Sequence, residues 1–359
     1  MSTPTPAVPF EIGLFTFGEL TADPATGQPI APQKRLREFV ELAKLADEAG
    51  LHVFGVGEHH RPDFAIASPA VVLAAIAEAT TNIRLTSTVT VLSTADPVKV
   101  FEDYAAVDLL SNGRAEITAG RGAYTESFPL FGYDLEDYDE LFAEKLDLLL
   151  ALNASPRVTW SGRHRAPLHD APVYPRPVQP QLPVWLAVGG TPASVVRGGR
   201  LGLPTYFALL GSPERFEPLA QLYRQSAAEA GVPESRLRLG VTSHFYTDRT
   251  SQQARDTFYP YYSRYIGTNM PSARGALLPR DAFESWAGPR GALFSGSPQE
   301  LTEKILWEHE VLGHTRFLAQ IGLGGLPFDD TARSIELLAT DVLPAVTRAL
   351  ADQPALGGV

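Results

Sequence analysis

The chain alternates short apolar segments, rich in β-branched residues, with segments of helical periodicity, and it does so eight times. This order is typical of strand–helix units in which each helix returns the chain to the same edge of a parallel sheet. Eight such units within 359 residues predict an α/β fold, the (β/α)8 or TIM barrel, with a doubly wound sheet as the second candidate. The predicted strands are EIGLFTF, HVFGVG, IRLTSTVTVL, RAEITAG, LPVWLAVGG, PTYFALL, RLRLGVTSHFYT and RFLAQIG, which begin at residues 11, 52, 83, 114, 182, 204, 236 and 316.

Two segments interrupt this alternation. Residues 157–181 contain prolines at positions that exclude a central strand, which predicts a hairpin or an irregular excursion. Residues 267–296 follow the seventh strand and are interrupted by glycine and proline, which predicts a non-regular insertion acting as a mobile lid, with a disordered surface loop as the alternative. We expect residues 1–359 to form a single domain that includes this insertion.

The composition excludes several classes of protein. Thirty Lys and Arg stand against 41 Asp and Glu, and the resulting net charge of −11 makes nucleic acid an unfavourable partner. The absence of cysteine excludes disulfides, thiolate nucleophiles and cysteine-ligated metals. No leader-like segment and no membrane-length apolar run is visible, so we expect a cytoplasmic protein that does not enter a membrane.

The most reactive side chains follow the second predicted strand, in the run Glu58-His59-His60. Active sites of (β/α)8 barrels lie where strands end, and an imidazole near its ordinary pKa exchanges protons at neutral pH, with Glu58 available to orient it. Two neighbouring strand residues point to opposite faces, and the adjacent strand ends offer no further strong ligands, so no metal site is predicted. The alternative is that these polar residues only anchor the following loop.

Two further segments have the composition of an anion site. AGRGAY, residues 119–124, places Arg121 between glycines, although a tight turn with a surface arginine fits equally well. AVGGTPAS, residues 187–194, leads from glycines into a helix whose exposed amides favour phosphate, unless Thr191 is only an N-cap. Because the two segments leave neighbouring strands, Arg121 and the amides from Gly190 to Ser194 are predicted to bind a single phosphate of a cofactor.

Three blocks of the sequence resemble the bacterial luciferase-like flavin monooxygenases. They are GEHH, the stretch TVTVLSTADPVKVFEDYAAVDLLSNGRAEITAGRGAYTESFPLFG and the stretch LPVWLAVGGTPASVVRGGRLGLP, in the same order and with similar gaps. The resemblance implies a barrel that binds FMN, supplied in reduced form by a separate reductase, and that oxygenates a small organic substrate such as an aldehyde or ketone. It also implies a homodimer, with the helices that begin near Pro69 and Pro97 at its surface.

The resemblance assigns roles to individual residues. His59 becomes the catalytic acid or base, supported by Glu58, and the isoalloxazine ring is expected against a cis peptide near Thr88-Val89. The remaining predicted cofactor-binding residues are Arg121, Tyr124, Gly190, Thr191 and Ser194.

The chain also departs from the family pattern at two positions. Gly120 replaces a cysteine, and Asp139 replaces an arginine that reaches the phosphate, which implies weak retention of FMN. An oxidoreductase dependent on the deazaflavin F420 and a non-catalytic flavin-binding protein remain the alternatives.

Overall fold

The computed structural model describes residues 9–24, 26–122, 124–209, 211–270, 273 and 275–352, and it contains a closed parallel barrel. The strands in chain order are Glu11–Thr16 (β1), Val53–Val56 (β2), Arg84–Ser87 (β3), Thr90–Val91 (β4), Ala115–Gly120 (β5), Arg157–Trp160 (β6), Leu168–Pro172 (β7), Val184–Val188 (β8), Thr205–Ala208 (β9), Leu239–Thr247 (β10), Phe294–Gly296 (β11) and Arg316–Gln320 (β12). Eight of them close the ring in the order β1-β2-β3-β5-β8-β9-β10-β12, because β10 pairs with both β9 and β12. The predicted (β/α)8 fold is confirmed.

The helices begin where the sequence has helix-start residues. They are Pro32–Glu48 (α1), Pro69–Ala79 (α2), Pro97–Leu110 (α3), Ser127–Phe131 (α4), Tyr138–Ala154 (α5), Pro192–Leu201 (α6), Glu217–Glu229 (α7), Ser251–Asn269 (α8), Arg280–Ala287 (α9), Pro298–Leu312 (α10), Phe328–Leu337 (α11) and Leu343–Ala351 (α12). At α3 the carboxylate of Asp96 accepts hydrogen bonds from the amides of Val98 and Lys99, while Pro97 supplies the fixed φ of a first helical residue. None of the helices within the described residues is long and apolar enough to span a bilayer.

Contacts divide the chain into two compact units, of which one consists of Phe15–Glu48 and Val53–Val188. In this unit, Arg114 donates hydrogen bonds to the carbonyls of Ala77, Thr80 and Ile83, which satisfies the carbonyl end of α2. Residues 157–181 form the predicted hairpin, since β6 and β7 pair antiparallel.

The other unit contains residues up to Leu14, Ala49–His52 and the residues from Gly189 onward. Between β10 and β12, the segment predicted as a non-regular lid contains regular structure, because α8 extends to Asn269 and is followed by α9 and β11. Phe283 and Leu293 of this segment are buried in one apolar cluster with Phe258 and Tyr262 of α8. The expected irregular structure is therefore wrong for about half of the described part of this segment; residues 271, 272 and 274 lie outside the described residues. Its role as a lid stays a prediction.

Candidate functional site

His59 lies directly after β2, in a pocket formed mainly by aromatic rings. Its ring centroid is 4.6 Å from that of Phe17, 4.4 Å from that of Phe64 and 5.0 Å from that of Tyr124. The side chain is only 6% exposed, and its Nε2 has no hydrogen-bond partner among the described residues. Since a buried polar atom without a partner is unfavourable, this nitrogen is an available donor or acceptor for a bound molecule.

The same burial decides the protonation state of His59. Burial, reinforced by the nearby guanidinium of Arg61, lowers the pKa of His59 to about 4. The Arg61 guanidinium itself lies over the ring of Tyr124 at 4.5 Å and is paired with Asp63 at 2.6 Å. His59 is consequently a neutral imidazole at pH 7, whereas the sequence argument assumed an imidazole near its ordinary pKa. Neutral imidazole can accept a proton or donate its single N–H, but it does not act as an imidazolium acid.

Glu58 does not support His59, which corrects the prediction. Its Oε1 lies 2.8 Å from Nε2 of His60, and its Oε2 accepts a hydrogen bond of 2.9 Å from the amide of Val91. The hydrogen bond to Glu58 raises the pKa of His60, so this imidazole, rather than His59, carries positive charge more readily. Glu58 therefore joins the end of β2 to β4. The carboxylate nearest to His59 is Glu126, whose Oε1 is 3.8 Å from Nδ1, too far for a hydrogen bond.

The peptide between Thr88 and Val89 is cis, as the resemblance implies, and it lies between β3 and β4. Glycines allow the chain to pack closely against it: a Cβ added at Gly57 would lie 2.7 Å from the Thr88 carbonyl oxygen, and one at Gly120 would lie 2.7 Å from the Val89 side chain. Val89 thus occupies the space that a side chain at position 120 would need. The buried hydroxyl of Thr88 has no partner among the described residues.

The turn after β5 places Arg121 beside an acid. Its Nη1 donates to Oδ1 of Asp139 at 2.5 Å, and its guanidinium lies over the Tyr138 ring at 4.9 Å. Asp139, where the resemblance implies an arginine, is therefore in direct contact with Arg121, the predicted phosphate-binding residue. Tyr124, in the same turn, packs against His59 and is half-buried, and this burial raises the pKa of its hydroxyl.

The second predicted phosphate segment follows β8, whose residues pair in parallel with those of β5. Gly190 has a φ of 117°, which favours glycine, and a side chain there would meet open space. Thr191 is the N-cap residue of α6, although its side chain makes no capping hydrogen bond to the first amides, so the N-cap alternative stays open. Ser194 is buried in the first turn. Whether this segment and Arg121 bind one phosphate stays a prediction.

These observations fit a flavin. Arg121 and, separately, the glycine-bounded start of α6 each have chemistry that suits a phosphate, and glycines allow close packing against the cis peptide. His59 Nε2 and the Thr88 hydroxyl, which have no partner among the residues described, are available for polar contacts with a planar heterocycle. Sequence reasoning missed Phe17, Phe64 and Glu126; only Phe17 carried a signal, since it ends a predicted barrel strand.

One group within the described residues has metal-ligating atoms close together, namely Asp137, Glu140 and His164. Their ligand atoms lie within 4.8 Å of one another, and Glu140 also accepts a hydrogen bond of 2.7 Å from Arg163. All three are at least partly exposed, and nothing further indicates an ion there.

Comparison with known proteins gives a consistent result. The family model for luciferase-like monooxygenases matches residues 10–315. The chain is 26% identical over 365 aligned positions to the oxygenase component of flavin-dependent trigonelline monooxygenase from Acinetobacter baylyi, covering 95% of this chain and 96% of that protein. Monooxygenase RslO1 from Streptomyces bottropensis superimposes with a TM-score of 0.79 at 25% identity, covering 93% of this chain and 99% of that chain.

Two further solved structures are less similar in sequence and show the shared fold alone. The oxygenating constituent of 3,6-diketocamphane monooxygenase from Pseudomonas putida, in complex with FMN, has a TM-score of 0.76 at 18% identity, covering 94% of this chain and 99% of that chain. An F420-dependent secondary alcohol dehydrogenase has a TM-score of 0.73 at 18% identity, with the same coverage of both chains.

Proposed function

The chain belongs to the luciferase-like monooxygenase family, and from this premise we propose that it uses reduced FMN and O2 to oxygenate a small organic substrate, in particular an aldehyde or ketone. One oxygen atom enters the substrate and the other leaves as water, while the reduced flavin becomes oxidised. The observation that carries this proposal is the buried, neutral His59 at the end of a barrel strand, whose Nε2 has no partner in the part of the chain that the structure describes.

The proposal gives each part of the site a task. Arg121, together with the amides from Gly190 to Ser194, holds the phosphate, and Thr88-Val89 supports the ring. Reduced FMN, when bound, supplies the two electrons that activate oxygen. His59 accepts one proton at Nε2 and returns it; because burial lowers the pKa of His59 to about 4, the protonated ring gives the proton back readily. The rings of Phe17 and Phe64 keep water from that nitrogen.

We further propose that a separate reductase supplies the flavin. The relative from Acinetobacter baylyi is named as the oxygenase component of its enzyme, which supports a two-component system. A homodimer through α2 and α3 is supported by three apolar side chains that are unusually exposed there: Val71 at 68%, Leu109 at 47% and Leu110 at 50%.

An F420-dependent oxidoreductase is the second candidate, and it rests on the shared fold of the secondary alcohol dehydrogenase. The two candidates differ in a simple requirement. A monooxygenase consumes O2 and places one of its atoms in the product, whereas a hydride-transferring F420 enzyme needs no oxygen.

The test is incubation of the protein with photoreduced FMN, a panel of aldehydes and ketones, and 18O2. We expect one 18O atom in a product. We expect His59→Gln to lower product formation roughly 10²- to 10⁴-fold while still binding FMN, because glutamine offers an amide but no basic nitrogen. His169→Gln, at an exposed histidine, is the matched control and should change nothing.

Two outcomes would count against the proposal. Normal product formation by His59→Gln would remove His59 from the chemistry. FMN binding that depends on Arg121, without oxygen uptake on any member of the panel, would favour a non-catalytic flavin-binding protein.

A further inference from the structure

The arginine expected to bind the cofactor phosphate is already engaged by a carboxylate of the same chain. Arg121 Nη1 and Asp139 Oδ1 are 2.5 Å apart, and both residues belong to the same compact unit. The arginine is 21% exposed at its side chain and the aspartate 80%. The cation is thus held in place, whereas the carboxylate is free to turn outward.

A phosphate and this carboxylate require the same donors. The guanidinium offers a planar fork of N–H groups that suits either anion, and Asp139 occupies part of it. If Asp139 stayed in place when phosphate bound, two anions would share one cation and repel each other. If it turned away, its ion pair would be lost. In both cases the carboxylate weakens phosphate binding.

The opposite effect is also physically possible, because an ion pair can orient an arginine for its ligand. Here the ring of Tyr138 already supports the guanidinium face at 4.9 Å, so orientation does not depend on Asp139 alone. The competing charge of Asp139 is then the effect that the substitution of this residue tests.

We propose that Asp139 is a built-in competitor for the cofactor phosphate, which lowers affinity for phosphorylated flavin and speeds its release. This inference rests on the proposed function, since it assumes that Arg121 binds the phosphate of FMN. Weak, rapidly reversible binding suits an oxygenase that must accept flavin from a reductase and release it in every turnover.

The test compares oxidised FMN with riboflavin, which has the same ring but no phosphate. Dissociation constants are measured by flavin fluorescence for the wild-type protein, Asp139→Asn and Glu136→Gln. Glu136→Gln is the matched control. Glu136 is an exposed acid on the approach to α5 that does not contact Arg121, so its substitution removes the same charge without changing the ion pair.

We expect Asp139→Asn to bind FMN roughly 2- to 5-fold more tightly, which is the range of an exposed ion pair, and to release it correspondingly more slowly. Riboflavin affinity should be unchanged, and Glu136→Gln should bind both ligands as the wild type does. Unchanged or weaker FMN binding by Asp139→Asn would overturn the competitor role, as would an equal gain for riboflavin.

A separate variant distinguishes this failure from that of the proposed function. Arg121→Ala should abolish the preference for FMN over riboflavin. If the preference persisted in Arg121→Ala, the phosphate would bind elsewhere, and both the phosphate site and the inference from it would be wrong. If it disappeared while Asp139→Asn had no effect, only the competitor role would fail.

Discussion

The two adjacent histidines after β2 should respond to pH in opposite directions. Burial lowers the pKa of His59 to about 4, whereas the hydrogen bond to Glu58 raises that of His60. A histidine whose pKa falls on folding binds protons better in the unfolded chain, so its contribution to stability is lost as pH decreases below about 6.5. A histidine whose pKa rises on folding stabilises the protein at low pH and loses that contribution as pH increases.

The magnitude for His59 follows from its two pKa values. The pKa of His59 is about 4 in the folded protein and about 6.5 in the unfolded chain. Lowering the pH from 8 to 5 therefore decreases the free energy of unfolding by about 2 kcal/mol. The side chain is 6% exposed, so solvent screening does not reduce this figure greatly.

The assay is urea unfolding at pH 8 and pH 5 for the wild-type protein, His59→Gln and His60→Gln. Other buried histidines, such as His244 and His314, are common to all three proteins and cancel in the differences. Relative to His59→Gln, the wild type should lose about 2 kcal/mol between pH 8 and pH 5. Relative to His60→Gln, the wild type should gain stability when the pH is lowered from 8 to 5.

The reasoning would be refuted if both differences had the same sign, or if His59→Gln showed the same pH dependence as the wild type. Titration of the histidine ring protons by NMR provides an independent check. His59 should remain neutral at pH 5, whereas His60 should titrate above the usual histidine range.

Three further substitutions test the packing and the charges. Gly57→Ala would place a methyl group 2.2 Å from the Phe17 ring. We expect this substitution to lower the free energy of unfolding, measured in urea, by about 1–3 kcal/mol. Gly189→Ala, whose methyl group would enter open space, should leave the free energy of unfolding unchanged. Asp47 accepts hydrogen bonds from three successive amides, which lower its pKa; Asp47→Asn should be less stable above pH 4, with a difference in thermal midpoint that shrinks as the pH falls. Burial raises the pKa of Glu308 to about 8, so Glu308→Gln should gain stability over the wild type as pH rises from 5 to 8, measured by urea unfolding; a constant difference would contradict this.

Periodicity and helix-start residues predicted most of the architecture. Pro69, Pro97 and Pro298 each begin a helix, because proline needs no hydrogen-bond partner in the first turn. The end of the chain does not form one continuous helix: α11 and α12 are separated by a π-helical turn that precedes Pro344, whose ring and missing N–H do not fit a continuous helix.

Contacts between side chains account for the features of the site that the sequence did not reveal. Strand alternation stops being informative once a strand ends, so it could not show that Glu58 contacts His60 and Val91 rather than His59. The pairing of Arg121 with Asp139 joins residues on either side of a loop and a helix, which no local pattern encodes. Glycine and proline between α8 and β11 indicated a loop, yet Phe283 and Leu293 are buried there.

The most direct test of the account is a crystal structure of the protein soaked with FMN. The account predicts that the phosphate contacts Arg121 and the amides from Gly190 to Ser194, with Asp139 displaced. It also predicts that the flavin ring lies against Thr88-Val89, with a polar atom of flavin or substrate reaching Nε2 of His59. A phosphate bound away from Arg121, or a flavin ring remote from His59, would contradict it.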